Sequence, residues 1–147
     1  MTALVAVVHA GLAAAWVGGM AYSLFVVQPK LQRFFGPDEE SREALTAVVA
    51  SGNRWRVIAL IGVIAATGAV LLWLTDTRWW IHAVKAVLLV VATGLFWYVS
   101  WRHWPRRIFA TAAERPSLQR QLRVLATTML ALAGTAFALG VLAVHVD

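Results

Sequence analysis

Four runs of predominantly apolar residues constrain this chain more than any other feature. Each is about 20 residues long, enough to cross ~30 Å of hydrocarbon as a helix rising 1.5 Å per residue. They fall at 2–28, 55–74, 79–104 and 122–144. Inside a bilayer each backbone N–H and C=O must find its partner within the segment, so the runs predict α-helices. The composition agrees: 61% of residues are hydrophobic, 14% are charged and the mean hydropathy is +0.71. A soluble domain would hold roughly 45–50% apolar and 25% charged residues. The expected fold is an all-α membrane protein, a four-transmembrane-helix bundle forming a single domain over 1–147.

The connections refine this expectation. Gly36, Pro37, Asp38, Glu39 and Glu40 open the first with acid in a first helical turn. Leu45, Val48 and Val49 then recur at helical spacing up to Ser51 and Gly52, which predicts a short amphipathic cytoplasmic helix on the membrane surface between spans 1 and 2. The second connection, 75–78, has room only for a turn, and Pro116 with Ser117 begins the fourth helix. No internal repeat is visible. The N-terminus lacks the basic region of a secretory leader, so the first span is expected to be a retained helix.

Charge sets the orientation. Lys30, Arg33, Arg42, Arg54 and Arg56 lie in or beside the first connection, and Arg102, Arg106, Arg107, Arg115, Arg120 and Arg123 lie in or beside the third. The second connection holds only Arg78, so both termini are predicted outside. A net charge of +6 and a pI near 11.1 would suggest nucleic acid in a soluble protein. Here the arginines flank apolar spans, so the expected partner is the lipid bilayer and nucleic acid is set aside. The absence of cysteine removes disulfides, thiolate metal sites and thiol catalysis.

The stretch HAGLAAAWVGGMAYSLFVVQP, 9–29, places a lone imidazole inside an apolar run, where a polar ring usually has a partner or a task. The topology sorts the histidines: His9, His82 and His145 fall toward the outer side, and His103 lies at the inner end among Arg102, Trp104 and Arg106. His103 is therefore read as interfacial, facing lipid phosphate. Lys85, three residues after His82, is the only lysine within a span and needs a counter-charge or an anionic ligand. Trp16, seven residues after His9, shares nearly the same helical face.

The candidate cofactor-binding residues are thus His9, His82, Lys85 and Trp16, and the candidate metal ligands are His9, His82 and His145. Each has a plainer reading. His9 could bond a neighbouring helix, His82 could sit at the interface, His145 could be wet, and Trp16 could pack. No paired acids suited to acid–base chemistry appear, so no catalytic residue is assigned.

His9 followed by Trp-Val-Gly-Gly at 16–19 and Pro29, Thr-Gly at 67–68, Lys85, and the basic exit WRHWPRR at 101–107 resemble the CopD-like (copper resistance D) integral membrane protein family. The resemblance implies a bacterial-type inner (plasma) membrane protein that handles copper. The layout is also similar to HemJ-like protoporphyrinogen oxidases, whose early histidine and later lysine match His9 and Lys85.

Three functions follow as expectations. One is a binding or electron-transfer protein holding haem b or copper at the outer-leaflet histidines. A haem-dependent membrane oxidoreductase is the second. The third is a structural subunit of a larger membrane complex. Implied partners are a quinol or a periplasmic copper carrier, and a second copy or larger assembly.

Overall fold

The computed structural model describes residues 2–74, 79–111 and 113–145, apart from the side chains of residues 50, 51, 144 and 145. Every element among them is helical: α1 (Thr2–Tyr22), α2 (Gln28–Phe35), α3 (Glu39–Leu74), α4 (Trp79–Tyr98), α5 (Trp104–Ile108) and α6 (Arg115–His145). A π-turn at Ser23–Val27 joins α1 to α2, and another at Val99–His103 joins α4 to α5. Four stretches are long and apolar enough to cross a membrane: Thr2–Phe35, Gly52–Leu74, Trp79–Ile108 and Arg115–Ala143. The all-α membrane bundle expected from the hydropathy is the fold observed. The turn expected at 75–78 lies outside the described residues.

The amphipathic stretch after Gly36 is helical but does not stand apart. Gly36, at φ 51°, ends α2, and α3 then runs unbroken for 36 residues into the second span. Ser51 and Gly52, read as a helix end, sit inside it. A mid-helix glycine costs only about 1 kcal/mol. Side chains on both sides of the glycine hold α3 to its neighbours. Arg42 reaches Gln119 at 3.5 Å, Glu43 pairs with Arg107, and Arg54 donates to the Ser100 carbonyl at 2.8 Å.

Asp38, just before α3, accepts the Ser41 N–H at 3.1 Å. Hydrogen bonds from the Ser41 side chain and backbone hold its carboxyl below the usual value of 3.8. A lowered carboxyl pKa adds stability above the unfolded value and loses it as the pH falls through the folded one. Asp38→Asn is therefore expected to flatten the acid limb of a thermal-stability profile, measured in detergent by circular dichroism. An unchanged limb would show that the bond does not persist in solution.

Both π-turns precede a proline, Pro29 and Pro105. Proline lacks an N–H and crowds the carbonyl four residues back. A widened turn relieves this by passing the Gln28 N–H to the Ser23 carbonyl and the Trp104 N–H to that of Val99. The Ser100 carbonyl, whose α-helical partner would be the Trp104 N–H, receives Arg54 instead.

The two turns belong to an internal repeat. Positions of the first span recur in the third with a shift of 76: Ser23 to Val99, Pro29 to Pro105 and His9 to Lys85. Those of the second recur in the fourth with a shift of 72: Gly62 to Gly134 and Gly68 to Gly140. Burial follows the same register. Val5, His9, Leu12, Trp16 and Met20 are shielded, as are Ile81, Lys85, Leu88, Ala92 and Phe96. Ile61 and Ala133, matched by the second shift, are both core residues.

Packing agrees with the repeat. α1 lies along α3 as α4 lies along α6; α1 also contacts α6, whereas α3 and α4 touch little. The chain is thus two similar helix pairs. Their shared core joins Trp16, Ile61, Ile64, Ala92, Met129 and Ala133, one or more from each long helix.

Candidate functional site

His9 lies within the first span, where an imidazole cannot be left without a partner cheaply. Its Nδ1 lies 2.8 Å from the hydroxyl of Thr67 on α3. That hydroxyl also lies 2.8 Å from the Val63 carbonyl and 3.1 Å from that of Ile64. When its proton goes to one of these carbonyls, Nδ1 carries the ring proton and the lone pair falls on Nε2. A ligating histidine is held in this way: one ring nitrogen donates to a fixed acceptor, and the other faces the ligand.

The ring also rests on Gly68. A Cβ there would come within 3.2 Å of His9 Cε1, closer than such atoms normally approach. Across the repeat, Lys85 rests on Gly140 in the corresponding way. A Cβ at Gly140 would lie 3.0 Å from Lys85 Nζ. Each half therefore sets one nitrogen-bearing side chain over a glycine of its second helix.

These cradles differ in tolerance. Gly68→Ala is expected to displace a rigid ring and break the Thr67 bond, whereas Gly140→Ala meets the far end of a flexible chain that can move aside. The alanine at 68 should therefore lower the melting temperature more than the alanine at 140. The reverse order would show that His9 is not seated on Gly68.

His82 is half-buried on α4, one turn before Lys85. His9 rests on Gly68 of α3 and Lys85 on Gly140 of α6, and α1 lies against both of those helices. The structure therefore gathers His9, His82 and Lys85 at one end of the bundle. Lys85 has no ion-pair partner among the described residues. The described acids, Asp38, Glu39, Glu40, Glu43 and Glu114, belong to the first and third connections at the other end. Asp76 and Asp147 lie outside the described residues.

Trp16 is 7% exposed and belongs to the central core, two turns below His9. The side chain of His145 lies outside the described residues, so its place in a metal set is not described. Among the described residues no three His, Cys, Asp or Glu side chains come together as a metal site would require.

The chain matches no known protein family, no curated protein and no solved structure. What the site can do must therefore be argued from its own atoms.

The His103 side chain does not face lipid: it is 1% exposed, and its buried Nε2 has no hydrogen-bond partner among the described residues. Eleven residues after the buried Ala92, it lies close to the same helical face. Beside it Arg107 pairs with Glu43 and lies 5.4 Å over the Trp104 ring. Arg54 lies 4.7 Å over Trp101, which stacks on Trp97 at 4.0 Å.

Sequence reasoning gave no role to Thr67 or to the two glycines. Thr-Gly at 67–68 was a visible signal, since a hydroxyl beside a glycine is what lets a facing helix seat a hydrogen-bonded ring. Gly140 carried no local signal; only the repeat reveals it.

Proposed function

We propose that this protein binds haem b between its two halves and serves membrane electron transfer, with His9 as an axial ligand through Nε2. The observation that carries this reading is the His9–Thr67 hydrogen bond, which holds the ring through Nδ1 and supports a role for Nε2 as the free donor. His82 is the candidate second ligand, and Lys85 would pair with a carboxylate of the group. An imidazole pair suits haem iron, and an ammonium in an apolar bundle with no ion-pair partner among the described residues calls for an anionic one.

The donor set favours haem over a bare copper ion. A resident ion usually takes three or four protein ligands, and no such set forms among the described residues. Haem brings four nitrogens of its own and asks the protein for one or two. When bound it supplies one-electron chemistry, and the protein tunes it through ligation and burial. We place the termini and this site on the outer face of a plasma membrane, because the basic connections favour the cytoplasm. Copper handling of the CopD-like kind, HemJ-like porphyrinogen oxidation and a purely structural role are the competing readings. The structural reading accounts for His9 through Thr67 but leaves Lys85 unanswered.

The test is an absorption spectrum of the purified chain in detergent, with and without dithionite. A Soret band that shifts on reduction is the expected result. A colourless preparation that retains copper by elemental analysis would move the reading to copper. Neither metal, after supplementation with both, would leave the structural reading.

A further inference from the structure

At the basic end, α4, α5 and α6 leave two open hollows that meet at Ser117. One is walled by Pro105, Arg106, Phe109 and Leu118. The other runs along the spanning part of α6, past Arg120, Val124 and Leu125, with Tyr98 of α4 opposite. A polar, positively charged mouth thus continues into an apolar trough on a face with the span's hydropathy.

Charge at this end is unevenly satisfied. The buried arginines have partners, Arg107 with Glu43 and Arg42 with Glu39 and Gln119. Arg106 and Arg120 are exposed and have no ion-pair partner among the described residues. The acid beside them, Glu114, accepts hydrogen bonds from the Thr111 N–H at 2.9 Å and hydroxyl at 2.7 Å. Those bonds hold its carboxyl below the usual range, so it stays ionised and offsets one of the two arginines. A net positive mouth remains.

The repeat provides an internal comparison. Arg106 corresponds to Lys30, but Arg120 and Ser117 correspond to Val48 and Leu45 on α3. The same scaffold therefore carries an apolar face in the first half and a basic notch in the second. Packing of the repeat does not require that difference, since both faces are outward.

We propose that this notch binds one anionic phospholipid, its phosphate held by Arg106 and Arg120 and its acyl chains lying along Val124 and Leu125. Guanidinium groups suit phosphate because their planar fork donates two parallel hydrogen bonds. The trough selects a lipid over a free phosphate, because only a lipid carries chains to cover it. This site lies at the opposite end from His9 and does not depend on the haem reading.

The test uses the full-length chain in mild detergent with phosphatidylglycerol or phosphatidylcholine, read by native mass spectrometry. One phosphatidylglycerol should be retained per chain, with roughly fivefold preference over phosphatidylcholine, given a net attraction of about one cation. Arg106→Gln with Arg120→Gln should abolish the preference while the helical circular dichroism and its melting stay unchanged. Val124→Trp, which keeps the charges but fills the trough, should also lower retention. Equal retention of the two lipids, an undiminished preference in the double variant, or full displacement by glycerol 3-phosphate would overturn the proposal.

Discussion

Replacing His9 with alanine is expected to remove the Soret band of the purified protein and leave its helical content intact. The ring hydrogen-bonds the Thr67 hydroxyl at 2.8 Å and sits on Gly68 outside the buried core cluster. Its loss removes a nitrogen donor far more than it removes packing. Thr67→Val should act more mildly. It frees the tautomer without removing the ligand, and loss of such a supporting bond typically weakens metal retention about 10–100-fold. Lys85→Met should retain the band but release haem faster on dilution. Full absorbance in His9→Ala would exclude His9 as a ligand. If Lys85→Met changes neither retention nor stability, its pairing with a carboxylate is wrong.

The second large effect is expected at the opposite end. Glu43→Gln leaves Arg107, only 8% exposed, without its carboxylate partner. Removing one member of a buried ion pair typically costs about 3–5 kcal/mol. Glu43 itself is 21% exposed at its side chain, which places the expected loss near the lower figure, about 3 kcal/mol. The measurement is the unfolding midpoint in detergent or in an SDS titration. Replacing both partners, Arg107→Met with Glu43→Leu, should recover most of the loss, because no buried charge is then stranded. A loss within about 0.5 kcal/mol for Glu43→Gln would mean that the pair behaves like an exposed one.

Much of the fold could be read before any coordinates. Span length and hydropathy fix the four crossings because hydrocarbon leaves the backbone few alternatives. The start of α6 at Pro116 and Ser117 followed from N-terminal preference, and the structure begins that helix at Arg115. The continuity of α3 through Gly52 was harder to see, since it depends on Arg42, Glu43 and Arg54 finding partners on α5, α6 and the second π-turn. His103 was read toward lipid phosphate from its arginine neighbours, although it lies 18 residues, five helical turns, after Lys85 and so on the same face.

At the site, His9, His82 and Lys85 stood out as polar groups within apolar runs. That they share one end followed from topology. Their mutual proximity depends on which helices are neighbours, which no spacing encodes. The repeat was hidden for a different reason. Its halves agree at scattered positions such as Gly18 and Gly94, Tyr22 and Tyr98, and Pro29 and Pro105, and most of the remaining matches exchange one apolar residue for another. Any two membrane helices share that much. Burial register and the paired π-turns separate common descent of shape from common composition.

One pair of equivalent positions has a consequence for assembly. Where the first half carries Trp16 the second carries Ala92, and both enter the same core. Two first halves meeting in this geometry would drive two indoles into a space made for one, and two second halves would leave it empty. Overfilled and hollow interiors are both penalised. The core thus takes one large and one small side chain from equivalent positions, so neither half repeated would reproduce its packing.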